Sequence, residues 1–111
     1  MLEVAMACRH AEVPADVKLA AESKLVKLER FLEGMERALV RFSEEQNPRI
    51  HDREVCEVTM EGHGHVVRAR ASGPDMLTAV DRVVDKLELR LVRLKGRLVG
   101  RSHPRRQAPV D

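Results

Sequence analysis

The chain has 111 residues, of which 43% are apolar, and its formal charge is +2. This length suits one domain with a two-layer core, and no segment offers the roughly 18 consecutive apolar residues of a membrane span. The absence of Trp and Tyr argues against a single-strand reader that stacks bases on aromatic side chains. The charge is uneven, because nine basic residues accompany only two acids between Arg82 and Arg106, a net +7 that leaves −5 for the rest. This asymmetry favours a polyanionic partner.

The cysteines and the N-terminus indicate the compartment. Cys8 and Cys56 are too few and too far apart for a disulfide framework or a zinc cluster. Both lie in alternating apolar segments, so we predict that both are buried, reduced thiols. The N-terminus lacks the basic start and apolar core of a signal peptide. Together these features predict a cytoplasmic protein without membrane association.

Apolar periodicity divides the chain into four strands and two helices. Alternation predicts strands over about 2–9, 37–44, 54–61 and 66–72, and three-to-four-residue spacing predicts helices over about 14–33 and 74–100. Pro14 and Pro74 suit the first turns of the two helices. Gly34 is placed to end the first helix, and Gly96 or Gly100 to end the second.

The order of these elements is β-α-β-β-β-α, which we interpret as an α+β domain over residues 1–100 and a flexible basic tail over 101–111. The polar segments 45–53 and 62–65 predict hairpin connections. Alternating strands form a four-stranded sheet that is buried on one face, so both helices should pack on that face. The second helix is longer than any strand, and its C-terminal turns should therefore project past the sheet.

The second helix combines three chemically different sides. Its apolar side comprises Leu77, Val80, Val84, Leu87, Leu91, Leu94 and Leu98. A basic stripe within roughly 80° of arc comprises Arg82, Lys86, Arg90, Arg93 and Arg97, and the acids Asp81, Asp85 and Glu88 occupy the remaining flank. An ordinary exposed face interleaves the two signs. Segregated cations repel one another, so the stripe predicts a polyanion-binding surface whose Lys86 and Arg93 point to solvent.

The heptad spacing of this helix also permits a coiled coil. In a parallel dimer, however, Arg90 of one chain would face Lys95 of the other chain, which places two positive charges against each other. We therefore favour packing of the Leu-rich side of this helix, which we call the Leu-rich seam, on the domain's own sheet. We predict that the protein is a monomer.

The sequence contains few residues in arrangements typical of catalytic or metal sites. His63-Gly64-His65 has metal-ligand spacing, but no further ligands lie near it in the sequence, so a hairpin turn is the better interpretation. No phosphate loop or nucleophile–base arrangement can be assembled. The sequence predicts no enzyme, and neither a cofactor, a metal nor a small-molecule substrate.

Several segments resemble the bacterial ribosome hibernation promoting factors, a family that includes the ribosome-associated inhibitor often called protein Y. They are Lys24–Phe31 in the first helix and Asp75–Asp81, Asp85–Glu88 and Leu91–Lys95 in the second. The resemblance covers about residues 1–100 in one register, with the same element order. It implies a non-enzymatic protein that binds the 30S subunit and the 70S ribosome in the channel of mRNA and the A- and P-site tRNAs.

The resemblance also implies contacts between basic helical faces and 16S rRNA phosphates. Matching basic positions are Lys24, Lys27 and Arg30 in the first helix and Lys86, Arg93 and Arg97 in the second. With the other cations of the last helix, the candidate rRNA-binding residues are Lys24, Lys27, Arg30, Arg82, Lys86, Arg90, Arg93, Lys95 and Arg97.

Two departures from the family pattern stand out. Many relatives have a basic residue where this chain has Leu89, and Arg90 is shifted one place round the helix. The chain also lacks a counterpart of the long form's ribosome-pairing C-terminal domain, while its Arg-rich end resembles the start of that form's linker. A short form and a piece of a longer protein both stay open. The alternative functions are a double-stranded RNA-binding module and a protein–protein module that uses the Leu-rich helix.

Overall fold

The structure, a computed structural model, describes the backbone of residues 2–102 and the side chains of residues 2–100. The elements are β1 (Glu3–Arg9), α1 (Ala15–Lys27), β2 (Met35–Glu44), β3 (Glu54–Gly62), β4 (His65–Gly73) and α2 (Met76–Ser102). The predicted α+β class and the order β-α-β-β-β-α are confirmed. Of the predicted tail, residues 103–111 lie outside the described residues.

The four strands form one sheet in the order β1-β2-β3-β4, so β1 and β4 are its edges. Strand β1 runs parallel to β2 because α1 crosses between them, whereas β2, β3 and β4 are joined by antiparallel hairpins. At the β3–β4 turn, His63 and Gly64 both have positive φ, 56° and 72°. Two consecutive positive φ angles are typical of a type I′ hairpin turn. The predicted turn at 62–65 is therefore confirmed.

One apolar core lies between the sheet and the two helices. Phe42 and Met60 of the sheet and Leu87, Leu91 and Leu94 of α2 have 0% of their surface exposed. The Leu-rich seam therefore packs on the domain's own sheet, as predicted. In the described part of the chain, no helix has the length and apolarity needed to cross a membrane.

Helix α2 differs from its prediction at both ends. Leu77, predicted to be buried, is 44% exposed, and Met76 and Val83 take inward positions instead. The reason is that Leu77 lies about 80° round the axis from Leu87 at 100° per residue. At the other end, Gly100 does not stop the helix, which continues to Ser102.

Asp75 is the N-cap of α2. Its Oδ1 accepts hydrogen bonds from the Thr78 backbone N–H at 2.8 Å and from the Thr78 hydroxyl at 2.9 Å. These bonds, the backbone one first, lower the pKa of the Asp75 carboxyl. The exposed carboxylate thereby satisfies donors that a helix start leaves unpaired.

Helix α1 is shorter than the predicted 14–33. It ends at Lys27, and a 3₁₀ turn, Leu28–Arg30, replaces its last part. Gly34 then adopts φ +91°, and a Cβ there would lie 2.8 Å from Nε2 of His63. The same Nε2 donates a hydrogen bond to the Glu33 carbonyl oxygen at 2.6 Å. This imidazole holds the β3–β4 turn against the α1–β2 connection, which gives His63 a structural role.

The two cysteines differ in environment. Cys56 is buried in β3, as predicted, but Cys8 is exposed, so that prediction is wrong. Alternation fails at Cys8 because it lies near the end of an edge strand, which has a neighbouring strand on one side only. Burial raises the pKa of the Cys56 thiol to about 12, which leaves it almost wholly in the unreactive protonated form at neutral pH.

We therefore expect one fast-reacting thiol in the native protein. With a chromogenic disulfide reagent at pH 8, Cys8 should react within minutes, whereas Cys56 should react only after denaturant is added. Cys8→Ser should abolish the fast reaction and leave only the reaction that requires denaturant. Two fast equivalents from the native protein would contradict the burial of Cys56.

Candidate nucleic-acid interface

The nine predicted rRNA-binding residues fall into separate groups around α2. Lys24 and Lys27 of α1 and Arg30 of the 3₁₀ turn lie beside one flank of α2. The basic stripe of α2 lies along the other flank, beside β4. Lys95 belongs to neither group, since it lies about 160° round the helix axis from Arg97. The structure thus does not bring the nine residues together into one continuous surface.

The first group lines a groove of about 490 Å³ between α1 and α2. Its α2 wall carries the acids that the sequence placed on one flank, namely Asp81, Asp85 and Glu88. Nζ of Lys24 lies 3.0 Å from Oδ1 of Asp81, and the Arg30 guanidinium lies 4.9 Å from the Phe31 ring centroid. Lys27 makes no ion pair within residues 2–100. The acidic flank of α2 therefore partly neutralises the cations of α1.

The second group meets the open edge of β4 through three hydrogen bonds from helix to strand. The donor–acceptor pairs are Arg82 with the Ser72 carbonyl at 2.8 Å, Lys86 with the Arg70 carbonyl at 2.7 Å, and Arg90 with the Arg68 carbonyl. We call these three pairs the edge contacts. Lys86 is exposed, as predicted, yet its ammonium does not simply point to solvent: it is fixed on the strand.

Beyond the edge contacts, a shallow pocket of about 240 Å³ lies between α2 and the start of β4. It is lined by Val66, Val67, Arg68, Arg90, Arg93 and Arg97. Arg93 and Arg97 have no hydrogen-bond acceptor or ion-pair partner among the described residues. We call this site the arginine pocket. Because no acid lines it, it can accept an anion without displacing an internal partner.

Strand β4 contributes to this site in a way that the sequence does not indicate. Apolar alternation over 66–72 directs Arg68 and Arg70 to the outer face of a strand, but it does not show that this strand is an edge. Nε of Arg68 donates to Oγ1 of Thr59 at 3.3 Å, so its side chain leans toward β3. Arg68 contacts α2 through its backbone carbonyl oxygen, which accepts the hydrogen bond from Arg90. A sequence contains no direct signal for such a contact.

A concavity of about 560 Å³ lies on the outer face of the sheet. Its charged lining is balanced, with Glu3, Glu57 and Glu61 against Arg37, Arg41 and Arg68. Arg37 pairs with Glu61 at 3.1 Å, and Arg41 approaches Glu57 at 3.9 Å. This face is consequently a poorer polyanion site than the arginine pocket.

Comparison with known proteins identifies relatives of the chain. The sequence profile described as sigma 54 modulation protein / S30EA ribosomal protein matches residues 4–99. The chain is 35% identical over 98 residues to the ribosome hibernation promotion factor of Mycobacterium tuberculosis, a match that covers 86% of this chain and 44% of that protein. It is 29% identical over 89 residues to the ribosome hibernation promoting factor of Salmonella typhimurium, covering 80% and 88%. The chain thus spans less than half the length of the Mycobacterium relative.

Solved structures share the fold. The protein Y N-terminal domain of Thermus thermophilus superposes with a TM-score of 0.67 at 26% identity, covering 84% of this chain and 97% of that one. A ribosomal subunit interface protein from Coxiella burnetii superposes with a TM-score of 0.72 at 19% identity, covering 86% and 99%. Because the profile matches residues 4–99, the chain belongs to the sigma 54 modulation protein / S30EA ribosomal protein family.

Proposed function

We propose that this protein is a ribosome hibernation factor that binds the 30S subunit and occludes the channel of mRNA and the A- and P-site tRNAs. Its affinity would come from contacts between cations and 16S rRNA phosphates, and its inhibition from steric exclusion. No bond chemistry is involved. In this role the protein acts in the cytoplasm on idle 30S subunits and 70S ribosomes.

The observation that carries this proposal is the pair of unpartnered guanidiniums in the arginine pocket. The side chains of Arg93 and Arg97 make no hydrogen bond to any described residue, in a fold whose relatives are named as hibernation factors. Guanidinium groups suit phosphate oxygens because their planar donors match the oxygen geometry. On the opposite flank, Lys27 and Arg30 supply a second exposed cationic group.

Two alternatives predict different partners. A reader of double-stranded RNA recognises helical shape and would bind a plain RNA duplex as well as it binds a ribosomal subunit. A protein–protein module would need the Leu-rich seam of α2 to be accessible, but Leu87, Leu91 and Leu94 are fully buried. The second alternative is therefore less well supported than the first.

We expect the protein to co-sediment with purified 30S subunits and to be displaced by mRNA together with tRNA, because all three would occupy the same channel. A sucrose gradient with and without saturating mRNA and tRNA measures the bound fraction, and 50S subunits serve as the negative control. Equal binding to an unrelated RNA duplex would favour the double-stranded RNA reader. Binding to 30S that is indifferent to mRNA and tRNA would contradict channel occlusion.

A further inference from the structure

The edge contacts repeat with a spacing that suits both elements. Cations four residues apart on α2 are separated by about 6 Å along the helix axis, and alternate β4 carbonyls are separated by about 6.6–6.8 Å along the strand. Each cation of the series Arg82, Lys86 and Arg90 therefore reaches the next carbonyl of the same edge. The regular spacing indicates one continuous contact between helix and strand.

These contacts satisfy groups that the sheet leaves unpaired. Strand β4 has a neighbouring strand on one side only, so alternate carbonyls face away from the sheet and need a donor. Arg82 additionally bonds Asp52 of the β2–β3 connection at 3.0 Å. The side chains of the edge contacts thus fix α2 against the strand and against a loop. One donor nitrogen of each side chain is therefore engaged before any ligand arrives.

The series ends at Arg90. The next position four residues on is Leu94, which is fully buried, and β4 itself begins at His65. Arg93 and Arg97 consequently lie beyond the last edge contact, in the arginine pocket over Val66 and Val67. Their guanidiniums keep all their donors for a ligand.

We propose that the basic stripe of α2 has two functions, divided at Arg90. Arg82, Lys86 and Arg90 are positioning residues that fasten α2 to the open edge of β4. Phosphate binding by the stripe is confined to Arg93 and Arg97 in the arginine pocket. The assignment of the phosphates to rRNA rests on the proposed function, whereas the division of the stripe rests on the contacts alone.

The division can be tested without a ribosome. In a titration with inorganic tripolyphosphate followed by NMR, the Nε–Hε signals of Arg93 and Arg97 should shift, while that of Arg82, which does not line the pocket, should stay in place. The Arg→Met variants at these positions assign the signals. An equal shift at Arg82 would overturn the division, and so would the absence of any shift at Arg93 and Arg97.

Matched variants extend the test to 30S subunits. Arg93→Met with Arg97→Met should reduce the salt slope of binding by about 1.4 to 1.8, at roughly 0.7 to 0.9 per phosphate contact, with an unchanged melting temperature. Lys86→Met retains the aliphatic stem but loses the donor, so it should lower the melting temperature by about 3–6 °C and leave the salt slope unchanged. Lys86→Arg should restore the melting temperature, because it restores a donor.

The outcomes separate the two proposals. If Lys86→Met reduces the salt slope as much as one arginine does and leaves the melting temperature unchanged, Lys86 is a phosphate ligand and the division is wrong. If the parent protein does not bind 30S subunits but the tripolyphosphate shifts occur as expected, the proposed function fails and the arginine pocket stands.

Discussion

Leu87→Asp is expected to unfold the domain. Leu87 has none of its surface exposed and lies in the core between α2 and the sheet. Truncation of a buried leucine alone costs about 2–5 kcal/mol, and an unpaired buried carboxylate adds several more. The sum approaches or exceeds the roughly 5–15 kcal/mol by which whole domains are stable.

The matched control is Leu89→Asp, the same replacement two residues away. Leu89 is 59% exposed on the solvent side of α2, so this variant should melt within about 2–4 °C of the parent, as surface substitutions usually do. Circular dichroism on heating measures both. A folded Leu87→Asp variant that had merely lost a dimer in light scattering would show that the seam joins two chains and not helix to sheet.

The sequence predicted this core well because α2 and the strands carry strong, regular periodicity. On α2 the apolar residues repeat at helical spacing, as at Leu87, Leu91 and Leu94. On β2 and β3 they alternate at strand spacing, and the buried positions include Val40 and Val58. Each pattern therefore defines one buried face. All five residues are buried at 1% exposure or less. A local pattern is sufficient here because burial on one side of an element is itself a local, periodic property.

Errors arose where neighbours in space decide the environment. Cys8 follows the strand alternation but is exposed, since β1 is an edge, and strand order cannot be read from alternation. Leu77 follows the heptad spacing but is exposed, because a heptad drifts against the 3.6-residue period of a helix. In both cases the local pattern was correct, and the position in the fold determined the outcome.

The charges of the candidate site could likewise be predicted only in part from the sequence. The segregation of acids and bases on α2 was visible in the sequence and indicated a functional face. The partners were not visible: Asp81 faces Lys24 of α1, while Lys86 bonds a carbonyl of β4. Cations that look equivalent on a helical wheel are therefore different in the fold, and only some of them are available to a ligand.

Reversal of the two pocket arginines should have the largest effect on ribosome binding. If the arginine pocket binds rRNA phosphates as proposed, Arg93→Glu with Arg97→Glu removes two phosphate contacts and adds repulsion, so we expect 30S affinity to fall by at least about 2 kcal/mol, roughly 30-fold. The fold should persist because neither side chain has a hydrogen-bond or ion-pair partner in the part of the chain that the structure describes. Titrations at three salt concentrations, with circular dichroism as the folding control, measure both quantities.

A second reversal, Lys27→Glu with Arg30→Glu, tests whether the ribosome contacts both flanks of α2 at once. If it does, the two losses of binding free energy should add in the fourfold variant, since separate sites rarely couple.

Asp81→Asn should do the opposite and tighten binding slightly, because it releases Lys24 from its 3.0 Å ion pair. A reversal at Arg93 and Arg97 that bound 30S subunits like the parent, with the same salt slope, would show that α2 does not face the ribosome.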